Sequence, residues 1–379
     1  MLSPIAGKRI GLLSARASRA NGGVFEAIVN NVALLRSLGA VPVVVALADE
    51  QHGLDVWRLA DAEIHLSSGS GPSQLAYSPD LPRRLHEAQL DLLHLHGIWQ
   101  FPSRAACGWA RRTGRPLIVS PHGMLDPWIT RRNAWKKELA RVGWEKTMWK
   151  RATAFHALTE AEASDIERET GSQRIAVIPN AAPPPGPRPT RMPGPAALYL
   201  GRIHEKKNIL ALVDGWLAAL PDLPTDATLT IAGWGENEGI EALEATLADC
   251  GPSVHFVGAA FGSQKAALLD VSRFLVLPSL SEGLPMVILE AWAAGVPTIM
   301  SEACGLPEGF AAGAAIDSGT DPQAIASAFR DAFSRNENEW LEMSKAAQQL
   351  AVGPFGQAAI ARHWEEIYSE LLIDQQERV

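Results

Sequence analysis

Two glutamates eight residues apart are the most informative chemical feature of this sequence. Glu282 and Glu290 lie in a strand–loop–helix pattern. The apolar run 274–277 predicts a buried strand, residues 279–283 have the composition of a loop, and Pro285 suits the first turn of a helix. Eight helical residues rise about 12 Å, so the two carboxylates can bind hydroxyls on opposite sides of one ligand. Sugars and ribose both carry such hydroxyls.

The predicted start of this helix also indicates an anion site. Free N–H groups and the helix dipole attract anions at a helix N-terminus, and phosphate is the usual one. In open α/β sheets, ligands bind at the carboxyl ends of the strands. The residues that form this predicted helix start are Leu284, Pro285, Met286 and Val287.

The residues around the glutamates carry a family resemblance. From Pro278 to Pro297 the chain reads Pro-Ser-x-x-Glu-Gly-x-Pro-x-x-x-x-Glu-Ala-x-Ala-x-Gly-x-Pro. This pattern resembles the signature of the retaining sugar-nucleotide glycosyltransferases of family GT4, which have the GT-B fold. The resemblance implies a UDP- or GDP-linked sugar as donor, with Glu290 on the ribose hydroxyls and Glu282 on the sugar hydroxyls.

Two cations extend the resemblance. The stretch that begins at Gly201 is similar to the family's Gly-Arg-x-x-x-x-Lys segment. By this resemblance Arg202 and Lys207 hold the donor diphosphate, and Lys206 is the alternative to Lys207. Fixed cations can neutralise the charge that builds on the leaving group. We therefore expect no cofactor and no required metal.

The resemblance assigns further positions on both halves of the chain. Taken alone, Gly22-Gly23 is more often a turn and a single histidine more often a packing residue. By resemblance, however, Gly23 faces the donor phosphates and Gly22 the acceptor, while His122 contacts the transferred sugar near its anomeric carbon. His96 is assigned to the acceptor side. The remaining donor-site residues implied are Gly233, Val257 and Gly258.

Strand and helix patterns alternate in both halves, which predicts parallel sheets with right-handed crossovers. The expected fold class is α/β of the GT-B type: two Rossmann-like, doubly wound domains with an interdomain cleft. The Pro-rich segment 183–195 predicts a stiff linker between domains 1–182 and 196–355. The last helix, about 356–379, is expected to cross back onto the first domain, and packing on its own domain is the alternative.

Composition excludes several classes of protein. The formal net charge of the 379 residues is −8, which argues against nucleic-acid binding. Three scattered cysteines predict neither a disulfide framework nor a zinc site, and reduced thiols are typical of a cytoplasmic protein. No apolar run reaches the roughly 18–20 residues that span a bilayer.

Residues 126–151 are strongly basic and contain four tryptophans. Such a stretch fits the anionic surface of a membrane, and it equally fits ordinary helices whose tryptophans fill the core. The local sequences around His96 and His122 resemble those of bacterial transferases of cell-surface polysaccharide assembly. This resemblance implies a glycan or undecaprenyl-linked acceptor and a cytoplasmic enzyme at the inner membrane face. The rival interpretations are a GT-B nucleotide-sugar epimerase and a non-catalytic, two-lobed sugar-binding protein.

Overall fold

The structure, a computed structural model, describes residues 3–131 and 134–376. The chain divides into two compact units. The first unit comprises Met1–Pro179 and Ile360–Val379, and the second comprises Asn180–Ala359. Each unit contains one parallel sheet with helical connections.

The sheet of the first unit has seven strands in the order β3-β2-β1-β4-β5-β6-β7, and its neighbouring strands are parallel. The strands are β1 Arg9–Arg16, β2 Val41–Leu47, β3 Glu63–Ser67, β4 Leu92–His96, β5 Leu117–Ser120, β6 Ala154–Ala157 and β7 Ile175–Val177. The helices are α1 Gly23–Ser37, α2 His52–Asp55, α3 Leu81–Glu87, α4 Phe101–Thr113, α5 Pro127–Arg131, α6 Ala134–Ala140, α7 Lys146–Arg151 and α8 Glu160–Thr170. A π-helical segment, Arg141–Glu145, joins α6 to α7.

The sheet of the second unit has six parallel strands in the order β10-β9-β8-β11-β12-β13. The strands are β8 Ala196–Ile203, β9 Thr228–Gly235, β10 Val254–Phe256, β11 Phe274–Leu277, β12 Thr298–Met300 and β13 Ala315–Asp317. The helices are α9 Ile209–Ala219, α10 Asn237–Leu247, α11 Gly262–Val271, α12 Met286–Ala293, α13 Pro307–Ala311, α14 Pro322–Ser334 and α15 Glu337–Val352, and α16 Gln357–Gln376 ends the described chain.

The strand order of each unit reverses once. In the first unit the reversal lies between β1 and β4, and in the second it lies between β8 and β11. Chain connections leave such a reversal point in opposite directions, which opens a crevice outside the carboxyl ends of the two strands. The β4, β5 and β11 strands are buried along their whole length. The crevice of each unit therefore lies next to buried strands of its sheet.

The continuous apolar runs predict the central strands, whereas two edge strands escape prediction. β3 has the sequence Glu-Ile-His-Leu-Ser and is largely half-exposed, and β13 has only three residues. An edge strand needs little apolar sequence because one side faces solvent. One helix start also differs from the prediction: Pro285 is the N-cap of α12 rather than part of its first turn.

The Pro-rich segment predicted as a linker belongs to the second unit. Gly186 N donates to Ala293 O over 3.0 Å, and the Arg273 guanidinium donates to Pro193 O over 3.0 Å. Because these bonds tie 183–195 to the elements of that unit, the segment is an ordered part of it. The chain passes between the two units at Pro179 and again at Ala359.

The last helix, α16, joins the first unit from Ile360 onward. Its Trp364 and Tyr368 are buried, and the Tyr368 hydroxyl lies 2.9 Å from Nδ1 of His94 in β4. The last helix therefore packs against the first sheet, as the family resemblance led us to expect. Within the described ranges, no helix combines the length and apolar character needed to cross a bilayer.

Candidate functional site

The loops that follow β8 and β11 meet at the reversal point of the second sheet. Leu280 N donates to Lys206 O over 2.7 Å, and the Asn208 side chain donates to Pro278 O over 3.1 Å. The Lys206 ammonium lies 3.2 Å from the Ser281 hydroxyl. These bonds fix the two loops to each other, so the side chains that they carry have set positions.

Lys207 and Glu282 form an ion pair at the centre of this arrangement. Lys207 Nζ lies 2.5 Å from Glu282 Oε1, and the Ser279 hydroxyl donates to the same oxygen over 2.6 Å. Only 20% of the Lys207 side chain and 10% of the Glu282 side chain are exposed. A cation and a carboxylate in one partly desolvated place can bind a phosphate and a sugar hydroxyl side by side. Sequence reasoning found both residues but not their pairing, and it missed Ser279.

Arg202 does not join this pair. Its guanidinium donates to Glu236 over 2.9 Å, and half of its side chain is exposed. The β8 strand continues to Ile203, so Arg202 still sits at the carboxyl end of the strand that precedes Lys207. An exposed ion pair contributes little to stability, so this guanidinium can exchange Glu236 for another anion at small cost.

Glu290 is likewise engaged by a cation. Lys265 Nζ lies 2.6 Å from Glu290 Oε1, and both side chains are about a third exposed or less. Lys265 lies in α11 and Glu290 in α12. Sequence reasoning missed Lys265, because a single lysine in a helix of mixed composition gives no signal of a partner 25 residues away.

The start of α12 presents backbone donors near these side chains. Pro285 caps the helix without a side-chain hydrogen bond. The first N–H groups of any helix lack partners within the helix, so Met286 and Val287 can donate to an anion. Leu284 and Pro285 are buried, whereas Met286 and Val287 are half-exposed.

Three predicted donor-site residues lie near the carboxyl ends of β9 and β10: Gly233 is within β9, and Val257 and Gly258 come directly after β10. Val257 is exposed and Gly258 has a positive φ of 73°, and Gly233 N donates to Gly258 O over 2.8 Å. A Cβ at Gly233 would lie 2.1 Å from Gly201 O in the adjacent strand. Strand packing thus requires glycine at 233, whether or not a ligand binds there.

In the first unit, Gly22 and Gly23 follow β1 and open α1. Gly22 is the N-cap of α1 with φ 57° and ψ −135°, a conformation available mainly to glycine. A Cβ at either glycine would meet no heavy atom within 4 Å. The turn is therefore open, and it lies at the reversal point of the first sheet.

His96 and His122 come together after β4 and β5. His96 Nδ1 lies 3.0 Å from His122 Nε2, and the two rings stack with centroids 5.2 Å apart. Burial lowers the pKa of His122 to about 3 and places that of His96 well below its ordinary value. Both imidazoles are consequently neutral at pH 7, and Nε2 of the buried His96 has no hydrogen-bond partner among the described residues.

Beneath these histidines runs a chain of hydrogen bonds that sequence reasoning missed. His156 Nε2 must donate to the carbonyl of Ile178 over 2.7 Å, so its Nδ1 accepts from the Ser120 hydroxyl. Ser120 Oγ then accepts from His94 Nε2 over 2.6 Å, and His94 Nδ1 accepts from Tyr368. This order of donors and acceptors is complete with both histidines neutral. Burial accordingly lowers the pKa of His156 to about 4.

Among residues 3–131 and 134–376, no group of three or more His, Cys, Asp or Glu side chains is arranged to hold a metal ion. The three cysteines, Cys107, Cys250 and Cys304, are free and buried. In the second unit, the cations and backbone donors described above suit a diphosphate.

Comparison with known families agrees with this geometry. The family model described as "Glycosyl transferase 4-like domain" matches residues 22–181. The model described as "Glycosyl transferases group 1" matches residues 194–335. The two matches follow one another and together span most of the chain.

Individual proteins show the same relationship. A D-inositol 3-phosphate glycosyltransferase of Streptomyces avermitilis is 28% identical, over 76% of this chain and 67% of its own. A GDP-mannose:cellobiosyl-diphosphopolyprenol alpha-mannosyltransferase of Xanthomonas campestris is 24% identical, over 74% and 75%. The structure of Anabaena HepE in complex with UDP and glucose superposes with a TM-score of 0.75 at 16% identity, covering 96% of this chain and 100% of that one.

Two parallel Rossmann-like sheets, the Glu-x7-Glu segment after β11 and the two domain matches lead to one conclusion. The chain is a glycosyltransferase of the GT4 type with the GT-B fold.

Proposed function

We propose that this enzyme moves a sugar from a UDP- or GDP-linked donor to a glycan or undecaprenyl-linked glycan acceptor, with retention of configuration and without a metal. The observation that carries the proposal is the Lys207–Glu282 ion pair, held by Ser279 at the reversal point of the second sheet. It puts a phosphate-binding cation beside a hydroxyl-binding carboxylate, which is what a nucleotide sugar requires.

In the proposed complex, Lys207 and the N–H groups at the start of α12 bind the diphosphate, and Arg202 exchanges Glu236 for a phosphate oxygen. Glu282 accepts from the sugar hydroxyls. Glu290, held by Lys265 over 2.6 Å, accepts from the ribose hydroxyls. The base lies against Val257 and Gly258.

The same residues account for the proposed chemistry. When the bond between anomeric carbon and phosphate oxygen breaks, negative charge grows on the diphosphate, and preplaced cations stabilise it without reorganising. The acceptor oxygen attacks from the face that the leaving phosphate vacates, and that phosphate takes the acceptor's proton. His122 is proposed to contact the transferred sugar near its anomeric carbon, and a neutral imidazole, whose pKa burial lowers to about 3, suits a site of developing positive charge.

A lipid-linked acceptor fits two observations. The Xanthomonas campestris relative is named for a diphosphopolyprenol acceptor. In the first unit, an exposed apolar stripe, Trp135, Leu139 and Val142, lies within the basic stretch 126–151, of which Arg132 and Asn133 are outside the described residues. Aromatic and aliphatic side chains among cations suit an anionic membrane surface. We place the enzyme at the cytoplasmic face of that membrane, in polysaccharide assembly. Its three free thiols are compatible with the reducing cytoplasm.

A thermal-shift screen of UDP- and GDP-sugars in EDTA tests the proposal. One donor should raise the melting temperature in EDTA, and Glu290→Gln should abolish the shift. The control is Glu342→Gln, an exposed glutamate of α15, which should keep it. The stabilising donor should then release its nucleoside diphosphate only when a polyprenyl-linked glycan is added. Release without any acceptor would favour an epimerase, and stabilisation without turnover a binding protein. No stabilisation by any donor would contradict the proposal.

A further inference from the structure

The turn that carries His122 is strained. His122 has a backbone φ of 54°, and the following Gly123 has a φ of 74°. A left-handed conformation is unfavourable for a non-glycine residue and persists only where the surroundings hold it. Something outside the turn must therefore hold His122 in place.

Glu162 in α8 supplies that restraint. Its Oε1 accepts from Gly123 N over 2.6 Å, and its Oε2 accepts from Leu158 N over 2.8 Å. The side chain is 5% exposed. Thr159, the N-cap of α8, accepts from Glu162 N over 3.2 Å and so fixes the residue at the helix start. A buried carboxylate thus joins the turn after β5 to the segment after β6.

We propose that Glu162 is a positioning residue for the transfer reaction: it does not touch the donor, but it holds His122 at the angle that the reaction needs. This inference rests on the role of His122 under the proposed function. A displacement of about 1 Å can cost on the order of 100-fold in rate, so a single lost bond at Gly123 has a measurable effect.

The chemistry of the carboxylate gives a discriminating variant. Both oxygens of Glu162 accept from backbone N–H groups. Glutamine has one carbonyl oxygen, and its amide NH₂ would face an N–H donor, so Glu162→Gln must lose one bond. Glu167 provides a control in the same helix. It is exposed, and its Oε1 accepts from Gln173 Nε2 over 2.8 Å, a bond that the carbonyl oxygen of glutamine can also accept.

Steady-state kinetics test the proposal. Glu162→Gln should lower kcat about 10- to 100-fold with the donor KM unchanged within about 2-fold, whereas Glu167→Gln should retain kcat within about 3-fold. In a His122→Asn background, Glu162→Gln should cost less than about 3-fold further, because the residue acts through His122. A Glu162→Gln enzyme with wild-type kcat, or one that costs as much with His122 already replaced, would overturn the inference.

A spectroscopic measurement keeps the test independent of activity and folding. Labelling histidine carbonyls with ¹³C and glycine amides with ¹⁵N selects the three His-Gly pairs, at 52–53, 96–97 and 122–123. The Gly123 amide proton, bonded to a carboxylate, should resonate downfield and move upfield in Glu162→Gln, while the Gly53 signal stays. An unmoved Gly123 signal would overturn the inference. If His122→Asn keeps full activity, the proposed role of His122 fails instead, and lack of donor binding would mark failure of the proposed function.

Discussion

Lys207 and Glu282 lie 75 residues apart in the sequence, yet Nζ of one lies 2.5 Å from Oε1 of the other. The pair exists because β8 and β11 are neighbours in the sheet, so their carboxyl ends bring the following loops together. A chemical site that is split along the chain in this way depends on the topology of the fold. Its consequences can be tested one residue at a time.

The Lys265–Glu290 pair should contribute modestly to nucleotide binding. Lys265→Met removes the cation that holds the Glu290 carboxylate in position. Because exposed or half-exposed ion pairs contribute about 0–1 kcal/mol, the Kd for UDP or GDP should rise about 2- to 5-fold. Calorimetric titration with the free nucleoside diphosphate measures this. Lys345→Met, which breaks a surface pair with Glu342, should leave the Kd unchanged. A larger effect at Lys345 than at Lys265 would count against the ribose role of Glu290.

The hydroxyl of Tyr368 should hold the last helix to the first sheet. Tyr368→Phe leaves Nδ1 of the buried His94 without a donor, which should cost about 1–3 kcal/mol of unfolding free energy. Denaturant unfolding measures the loss. Tyr77→Phe serves as control, because Tyr77 is exposed and its substitution should cost little. Equal stability of Tyr368→Phe and wild type would show that the bond is not formed.

The neutral histidines should make stability depend on pH. Since the folded pKa of His156 is about 4 and the unfolded value is about 6.5, the unfolded chain takes up the proton first. This contribution is fully present above pH 6.5 and is lost as pH falls toward 4, by about 1.4 kcal/mol per pH unit. Glu145, whose pKa burial raises to about 7, contributes a slope of opposite sign between about pH 4.5 and 7, so variants must be compared.

Unfolding curves between pH 4.5 and 7.5 measure that slope. In His156→Gln, the unfolded chain should take up about one proton fewer relative to the folded chain than in wild type. The free energy of unfolding should therefore change less with pH. His86→Gln, at an exposed histidine of α3, should leave it intact. A parallel pH dependence for His156→Gln and wild type would mean that His156 is protonated in the folded protein.

The central strands and the chemical segments were predictable, because long apolar runs and the Glu-x7-Glu spacing are local patterns. The edge strands β3 and β13 were not, since their sequences, Glu-Ile-His-Leu-Ser and Ala-Ile-Asp, contain no continuous run of large apolar residues. The function class, a glycosyltransferase, was predicted from the same local motif and is confirmed by the two family matches. The roles of the individual site residues remain predictions.

Partnerships between distant residues escaped prediction. Nothing in the sequence of α8 identifies Glu162 as the partner of Gly123, which lies 39 residues earlier. The order of β5 and β6 in the sheet creates that contact. The same holds for Tyr368 and His94, which lie 274 residues apart and meet only because α16 packs against the first sheet.

The apolar stripe of the first unit should bind anionic membranes. Trp135, Leu139 and Val142 are each about two-thirds exposed, and Lys136 lies 5.5 Å from the Trp135 ring. Vesicles containing phosphatidylglycerol should retain the protein at low salt and release it at high salt, because surface charge attraction is screened.

Variants distinguish vesicle binding through the apolar stripe from non-specific adsorption. Trp135→Ser with Leu139→Ser should abolish retention, and reversing the charges of Lys136 and Lys137 should weaken it. Trp234→Ser, at an exposed tryptophan of the second unit, should have no effect. Retention that is unaffected by the changes in the stripe would remove the membrane proposal.

The most direct test of the central claim is the turnover number of Lys207→Met beside that of Lys206→Met, measured as nucleoside diphosphate release from the stabilising donor in EDTA. If Lys207 neutralises the leaving diphosphate, its loss should lower kcat about 100- to 1000-fold. Lys206→Met, at the adjacent lysine, should stay within about 5-fold of wild type. A Lys207→Met enzyme with wild-type kcat would contradict the account.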